Sequence, residues 1–235
     1  MADPAALADL DPFDLLDAET ARLDRHFASL DAPAWEAPSR CAGWRTRDVL
    51  AHLCGSEEYN RACLDDRLAD LFAQAQGESI TGVDDFNAWQ VRRRLDRPVG
   101  EVLREWRAAN TDSRRRMRER GRDALLPTMV GPYPVGLQAF HLAVEAAVHA
   151  DDIGAPVRPA EAPARIAWQA RFARFAVAEA NRPARVERQD GTNRVRLGDE
   201  VTTLDDGELV AAVTARLPAG HPLTPGLREA LRVLA

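Results

Sequence analysis

Four side chains suited to metal binding or acid–base work fall on one side of a single helical segment: His141, Glu145, His149 and Asp152. Spacings of four, four and three residues are near-neighbour distances on a helix, so one element presents all four together. Phe140, Val144 and Val148 share that side and are core-facing in type. Burying a carboxylate and two imidazoles among them is costly unless the charges are paired or bound to a cation. A plain i,i+4 Glu–His pair on a bundle surface accounts for Glu145 and His149 equally well. His52 sits on another helical stripe with Val49, Leu53 and Ser56, where a satisfied core histidine is the simple alternative. If the two stripes face each other, His52, Glu145 and His149 form a two-histidine, one-carboxylate set. Helical bundles build metal sites from such inward side chains. Three protein ligands leave one coordination position open, as catalytic zinc sites require.

The elements that must position these residues are mostly helices. Asp11 can cap a first helix and Pro12 suits its first position. Phe13, Leu16, Thr20, Leu23, Phe27 and Leu30 then recur at helical spacing. The following loop, DAPAWEAPSRCAGWR, holds two tryptophans that must pack onto something. A second helix is expected from an N-cap at Thr46, with Asp48 in its first turn, through VLAHLCGSEEYNRACLDDRLADLFA with a break near Gly55. Residues 75–84 read as loop, and helix signals resume through DDFNAWQVRRRL. Beyond Pro98, the residues Val99, Val102, Leu103, Trp106, Asn110, Ser113 and Met117 trace one face. The opposite face carries Arg114, Arg115, Arg116, Arg118 and Arg120, read as solvated rather than as an anion site. GRDALLPTMVGPYPVG reads as loop, and LQAFHLAVEAAVHADDI as a helix stopped by Gly154 and Pro156.

Four long amphipathic helices predict an up-and-down four-helix bundle over residues 1–156. Residues 157–235 change texture. A helix, two short runs around Asp190-Gly191, a strand-like EVTTL and two further helices predict a smaller α+β domain.

Composition narrows the classes. The chain has 235 residues, 46% hydrophobic and 29% charged, which is globular. A net charge of -6 argues against nucleic acid as a partner. No apolar run approaches membrane-helix length, and the acidic start lacks the order of a signal peptide, so a cytoplasmic protein is expected. All 31 basic residues are arginine. Cys41, Cys54 and Cys63 form no CxxC pair and read as reduced, small buried hydrophobes. No phosphate loop, nucleophile elbow or nucleotide fingerprint is present.

Residues 38–53, PSRCAGWRTRDVLAHL, resemble the P-S-x-C-x-G-W segment and following His-Leu of the mycothiol-dependent maleylpyruvate isomerase family. EAAVHADDIG, residues 145–154, is similar to that family's E-x-x-x-H-x-x-D helix, and DDFNAWQVRR, residues 84–93, to its D-x-F-N segment. The resemblance implies a mainly α, DinB-like bundle with a smaller C-terminal domain. It implies a divalent metal, typically zinc, on His52, Glu145 and His149. Asp152 matches the acid after the second histidine and could accept a hydrogen bond from a ring N–H. Asn87 and Arg92 match the third segment, and His141 is left as a pocket residue or core packing. The implied cofactor besides the metal is mycothiol, a low-molecular-weight thiol. The metal-bound thiolate adds to an activated double bond, and rotation with loss of the thiol gives the trans product. Relatives that keep the thiol on the product act as S-transferases. The implied partners are therefore this thiol and a small-molecule electrophile. A thiol-free metalloenzyme of the same fold and a non-catalytic ligand binder remain the alternatives.

Overall fold

The computed structural model describes residues 2–234, which divide into two compact units. The first spans Pro12–Pro156. Its helices are α1 (Pro12–Ser29), α2 (Ala32–Glu36), α3 (Thr46–Leu64), α4 (Leu68–Gln74), α5 (Val83–Arg92), α6 (Val99–Arg120) and α7 (Val135–Asp152). An antiparallel hairpin, β1 (Leu125–Thr128) and β2 (Gly131–Pro134), precedes α7.

The four long helices α1, α3, α6 and α7 make the bundle. α1 packs along α7 and α3 along α6, while α6 also touches α1 and α7. Leu23, Phe27, Val49, Leu50, Leu53 and Trp106 are buried at its centre. Phe27 receives Trp35 in a stacked contact at 5.3 Å and Trp106 edge-on at 5.5 Å. Ala139, Ala143, Ala146, Ala147 and Ala150 of α7 are buried, and side chains this small let neighbouring helices approach closely. Glu19 and Arg22 form a buried ion pair, and the same guanidinium donates to the Pro156 carbonyl at 3.0 Å. The last residues of the unit are thereby tied to α1.

Several elements differ from expectation. Gly55 is no break: α3 runs unbroken to Leu64, and the chain turns at Asp66, whose φ is +57°. Gly55 is where α5 lies against α3, since a Cβ there would fall 2.7 Å from Cβ of Gln90. Arg45, not Thr46, is the N-cap residue of α3, and its N–H donates to Asp48 at 2.9 Å. The stretch expected as loop holds the β1–β2 hairpin. Pro127, Pro132 and Pro134 remove ladder donors from it, which hides a strand pattern from propensity. Tyr59 of α3 accepts the Met129 N–H at 3.0 Å and anchors the turn. Four arginines of the α6 face meet acids: Arg114 with Asp17, Arg115 with Asp112 and Glu119, Arg116 with Asp65, Arg118 with Asp14 and Asp17, while Arg120 donates to the Leu64 carbonyl.

The second unit contains residues 157–234 together with 2–11. Its elements after a short 3-10 turn (Pro4–Leu7) are α8 (Ala162–Glu179), the antiparallel sheet β3 (Arg185–Gln189), β4 (Thr192–Leu197) and β5 (Glu200–Leu204), α9 (Asp206–Val213) and α10 (Pro225–Leu231). Asp190 and Gly191 both have positive φ at the β3–β4 turn, as the hairpin reading requires. Assignment of residues 2–11 to this unit departs from the expected boundary. Leu7 is fully buried there, and Arg171 of α8 binds Asp9 at 2.9 Å.

Gly55→Ala is expected to destabilise the protein despite the better helix propensity of alanine, about 1 kcal/mol. Overpacking against the Gln90 Cβ costs roughly 1–3 kcal/mol. Gly100→Ala, whose new Cβ would meet nothing closer than 3.7 Å, serves as the control and should not lower the melting temperature. Equal thermal stability of Gly55→Ala and the parent chain would contradict the close α3–α5 contact.

Candidate metal centre

Beside the apolar core they share, α3 and α7 bring polar side chains together. Nε2 of His52 lies 3.0 Å from Oε1 of Glu145, and the Ser56 hydroxyl donates to the same oxygen at 2.8 Å. The His52 and His149 rings meet edge-on with centroids 4.8 Å apart. One nitrogen of each histidine and a Glu145 oxygen thus lie within 4.8 Å of one another. The three residues read from the sequence are brought together.

Local folding explains the placement. His52 and Ser56 are four apart on α3, and Glu145 and His149 four apart on α7, so each helix offers one pair to the seam. The loop before α3 packs as its tryptophans require: Trp35 on Phe27, and Trp44 over His52 at 5.2 Å. Ser39 closes that loop by donating to the Trp44 carbonyl at 2.8 Å. The Arg40 N–H reaches the Asp152 carbonyl at 2.9 Å, tying the loop to the end of α7.

Asp152 also joins the site. Its Oδ2 is 3.1 Å from Nδ1 of His149. With Nδ1 engaged, Nε2 is the nitrogen of His149 left to ligate. The Cys41 thiol donates to the same Oδ2 at 3.1 Å. Sequence reasoning missed Cys41, as nothing in its spacing links it to residues 111 positions away. Cys41, His149 and Asp152 even form a second close donor group, which shares His149 with the first.

The electrostatics suit a cation. Burial alone would raise the Glu145 carboxyl, but the hydrogen bond and charge of His52, with His149 and Ser56, hold it at about 2. Burial lowers His149 below the ordinary histidine range, against the opposing pull of Asp152. At neutral pH the site therefore combines an ionised carboxylate with a neutral imidazole, the forms that bind metal. Nδ1 of His52 is buried with no hydrogen-bond partner among the described residues, so only its Nε2, at Glu145, is met by protein. The donor set and these observations fit a divalent ion.

His141 lies one turn before Glu145, half-exposed, with Nε2 3.2 Å from the Tyr133 hydroxyl. Asn87 and Arg92 are on α5, outside this cluster. Arg92 is exposed and pairs with Glu78 at 3.4 Å, and Asn87 is half-buried. Cys54 and Cys63 are buried thiols as expected, and burial pushes Cys54 up to about 12.

No helix among the described residues is long and apolar enough to cross a membrane. No curated protein matches the chain in sequence. Among solved structures, a mycothiol-dependent maleylpyruvate isomerase mutant is similar in fold. Its TM-score is 0.53 at 14% identity, over 72% of this chain and 70% of that one. The family model for the mycothiol maleylpyruvate isomerase N-terminal domain matches residues 16–154. That match takes in α1 almost whole, the loop before α3 and all three converging side chains. The bundle that holds them is the one this family model describes, and the chain belongs to the mycothiol maleylpyruvate isomerase N-terminal domain family.

Proposed function

We propose that this protein is a metal-dependent enzyme that works with mycothiol on a small electrophile, by cis–trans isomerisation or by thiol transfer. The observation that carries the reading is the convergence of His52, Glu145 and His149 between α3 and α7 in a chain of this family. These three would hold a divalent ion, and two imidazoles with one carboxylate suit zinc. Such an ion, when bound, takes a thiol as its thiolate near neutral pH and so supplies a nucleophile at a fixed place.

The chain's own residues have separable duties. Ser56 and His52 orient the Glu145 carboxylate through one oxygen. Asp152 accepts a hydrogen bond from Nδ1–H of His149 and so leaves Nε2 for the ion. Trp44 covers one side of the His52 ring and keeps water from it. Glu145 is the most exposed of the three, at 28% of its side chain against 5% for His52 and 10% for His149, so ligands enter on its side. His141, one turn away and hydrogen-bonded to Tyr133, is our assignment for holding or moving a proton on the electrophile. Asn87 and Arg92 lie on α5 outside the cluster, Arg92 exposed and paired with Glu78, and are given no part.

Purified protein is expected to carry about one divalent ion per chain, and His52→Ala or His149→Ala to lose most of it. Elemental analysis decides this, and unchanged metal in both variants overturns the ligand set. Imidazole binds metal only when neutral, so acidification through the histidine range weakens binding. A chelator should then strip the metal several-fold faster near pH 5 than near pH 8; equal rates would place the ion elsewhere. With cobalt in the site, mycothiol is expected to add a near-ultraviolet thiolate charge-transfer band. That band should vanish in Glu145→Ala. Stoichiometric cobalt whose spectrum no thiol perturbs would favour a thiol-free metalloenzyme.

A further inference from the structure

Cys41 touches the site at His149 and Asp152. We infer that Cys41 is a positioning residue of the metal centre, whose thiol, acting through Asp152, fixes the orientation and tautomer of the His149 ring. The inference rests on the reading of His149 as a metal ligand.

Three contacts define the arrangement. The Cys41 thiol donates to Oδ2 of Asp152 at 3.1 Å, and Nδ1 of His149 lies 3.1 Å from that same oxygen. Sγ and Nδ1 are 3.8 Å apart, so the two donors sit side by side on one acceptor. The Asp152 side chain is 0% exposed, so its direction is set by protein donors and not by bulk water. With two donors on one oxygen, the carboxylate has a single favoured rotation, and that rotation points a lone pair at Nδ1. The proton of a neutral His149 then resides on Nδ1, which leaves the Nε2 lone pair available to ligate.

Without the thiol proton, Oδ2 loses one of the two donors that aim it at Nδ1, and the Nδ1–H form of the imidazole loses support against the Nε2–H form. A ring protonated at Nε2 cannot ligate through that atom. The loop prevents Cys41 from swinging away. Its N–H donates to the Ser39 hydroxyl at 3.1 Å, and the adjacent Arg40 N–H holds the Asp152 carbonyl at 2.9 Å. The thiol is thus built onto the same residue it orients, through backbone and side chain together. A rival role exists in packing, because Cys41 is partly buried against the bundle core.

Substitution separates the two roles. Cys41→Val removes the donor while filling the space with apolar bulk, whereas Cys41→Ser keeps a donor and slightly shrinks the side chain. Zinc affinity is to be measured by competition with a chromophoric chelator. The His149 tautomer is to be read in zinc-free protein by long-range nitrogen–proton NMR. Cys41→Val is expected to weaken zinc binding about 10-fold, the usual cost of losing a group that orients a ligand, with Cys41→Ser within about 3-fold of wild type. The zinc-free Cys41→Val protein should also show His149 signals moved from the Nδ1–H form toward a mixture. Wild-type affinity and tautomer in Cys41→Val overturn the inference, as does weak binding in Cys41→Ser beside normal binding in Cys41→Val. Should Cys41→Val fail to fold by circular dichroism, Cys41→Ala carries the same comparison. If wild-type protein binds no zinc, the metal reading fails by itself, and the tautomer comparison still decides the part played by Cys41.

Discussion

A carboxylate removed from water must be met by donors or cations, and the seam between α3 and α7 is arranged around that requirement at Glu145. Its oxygen collects the Ser56 hydroxyl and the His52 ring nitrogen, with His149 beside them. Glu57 gives the contrast. It is one residue further along α3, buried on the side facing α6, and meets the Asn110 amide at 2.7 Å. Burial raises the Glu57 carboxyl, and the neutral partners Asn110 and Ser113 only partly oppose this. Imidazoles beside Glu145 outweigh its burial, whereas the amide and hydroxyl beside Glu57 do not, so the two shift in opposite directions. α7 therefore carries an acid held in its charged form, while α3 carries one that burial pushes toward its neutral form. Only the first is chemically equipped to hold a cation.

Much of the site was legible because helical spacing is informative at close range. Glu145 and His149 four apart, and His52 four before Ser56, required only that two inward stripes face each other. The two tryptophans of the loop before α3 signalled that this loop was packed, and Trp44 on the His52 ring shows what the signal meant. Asp152 was readable as a neighbour one turn on. Cys41 was not, because a loop residue has no periodicity and its partners stand at the far end of the bundle in sequence. Its placement follows from the Arg40–Asp152 backbone bond, a tertiary contact without a local pattern.

In the fold, the long helices were legible and their interruptions were not. Glycine inside α3 has the signature of a weak point, and weakness and close approach leave the same residue in the sequence. Only the position of Gln90 distinguishes them. The β1–β2 hairpin failed for the opposite reason: its prolines belong to loop vocabulary, yet a two-stranded edge can hold them where their missing N–H groups are not needed. Asp190-Gly191 was easier, since both residues favour the positive φ that the turn demands.

The attachment of residues 2–11 to the second unit has a consequence for the order in which the chain matures. Asp9 and Arg171 stand 162 residues apart. At synthesis rates of about 5–20 residues per second, the early segment waits roughly 8–30 s for its partner helix to leave the ribosome. The whole helical bundle is made in that interval. During it Leu7 has no core to enter and stays exposed to water or to a chaperone. The bundle is thus born as an internal loop of its neighbour, whose closure spans the full length of the bundle and carries the matching entropy cost. Of the two units, the one without His52, Glu145 and His149 is the later to be completed.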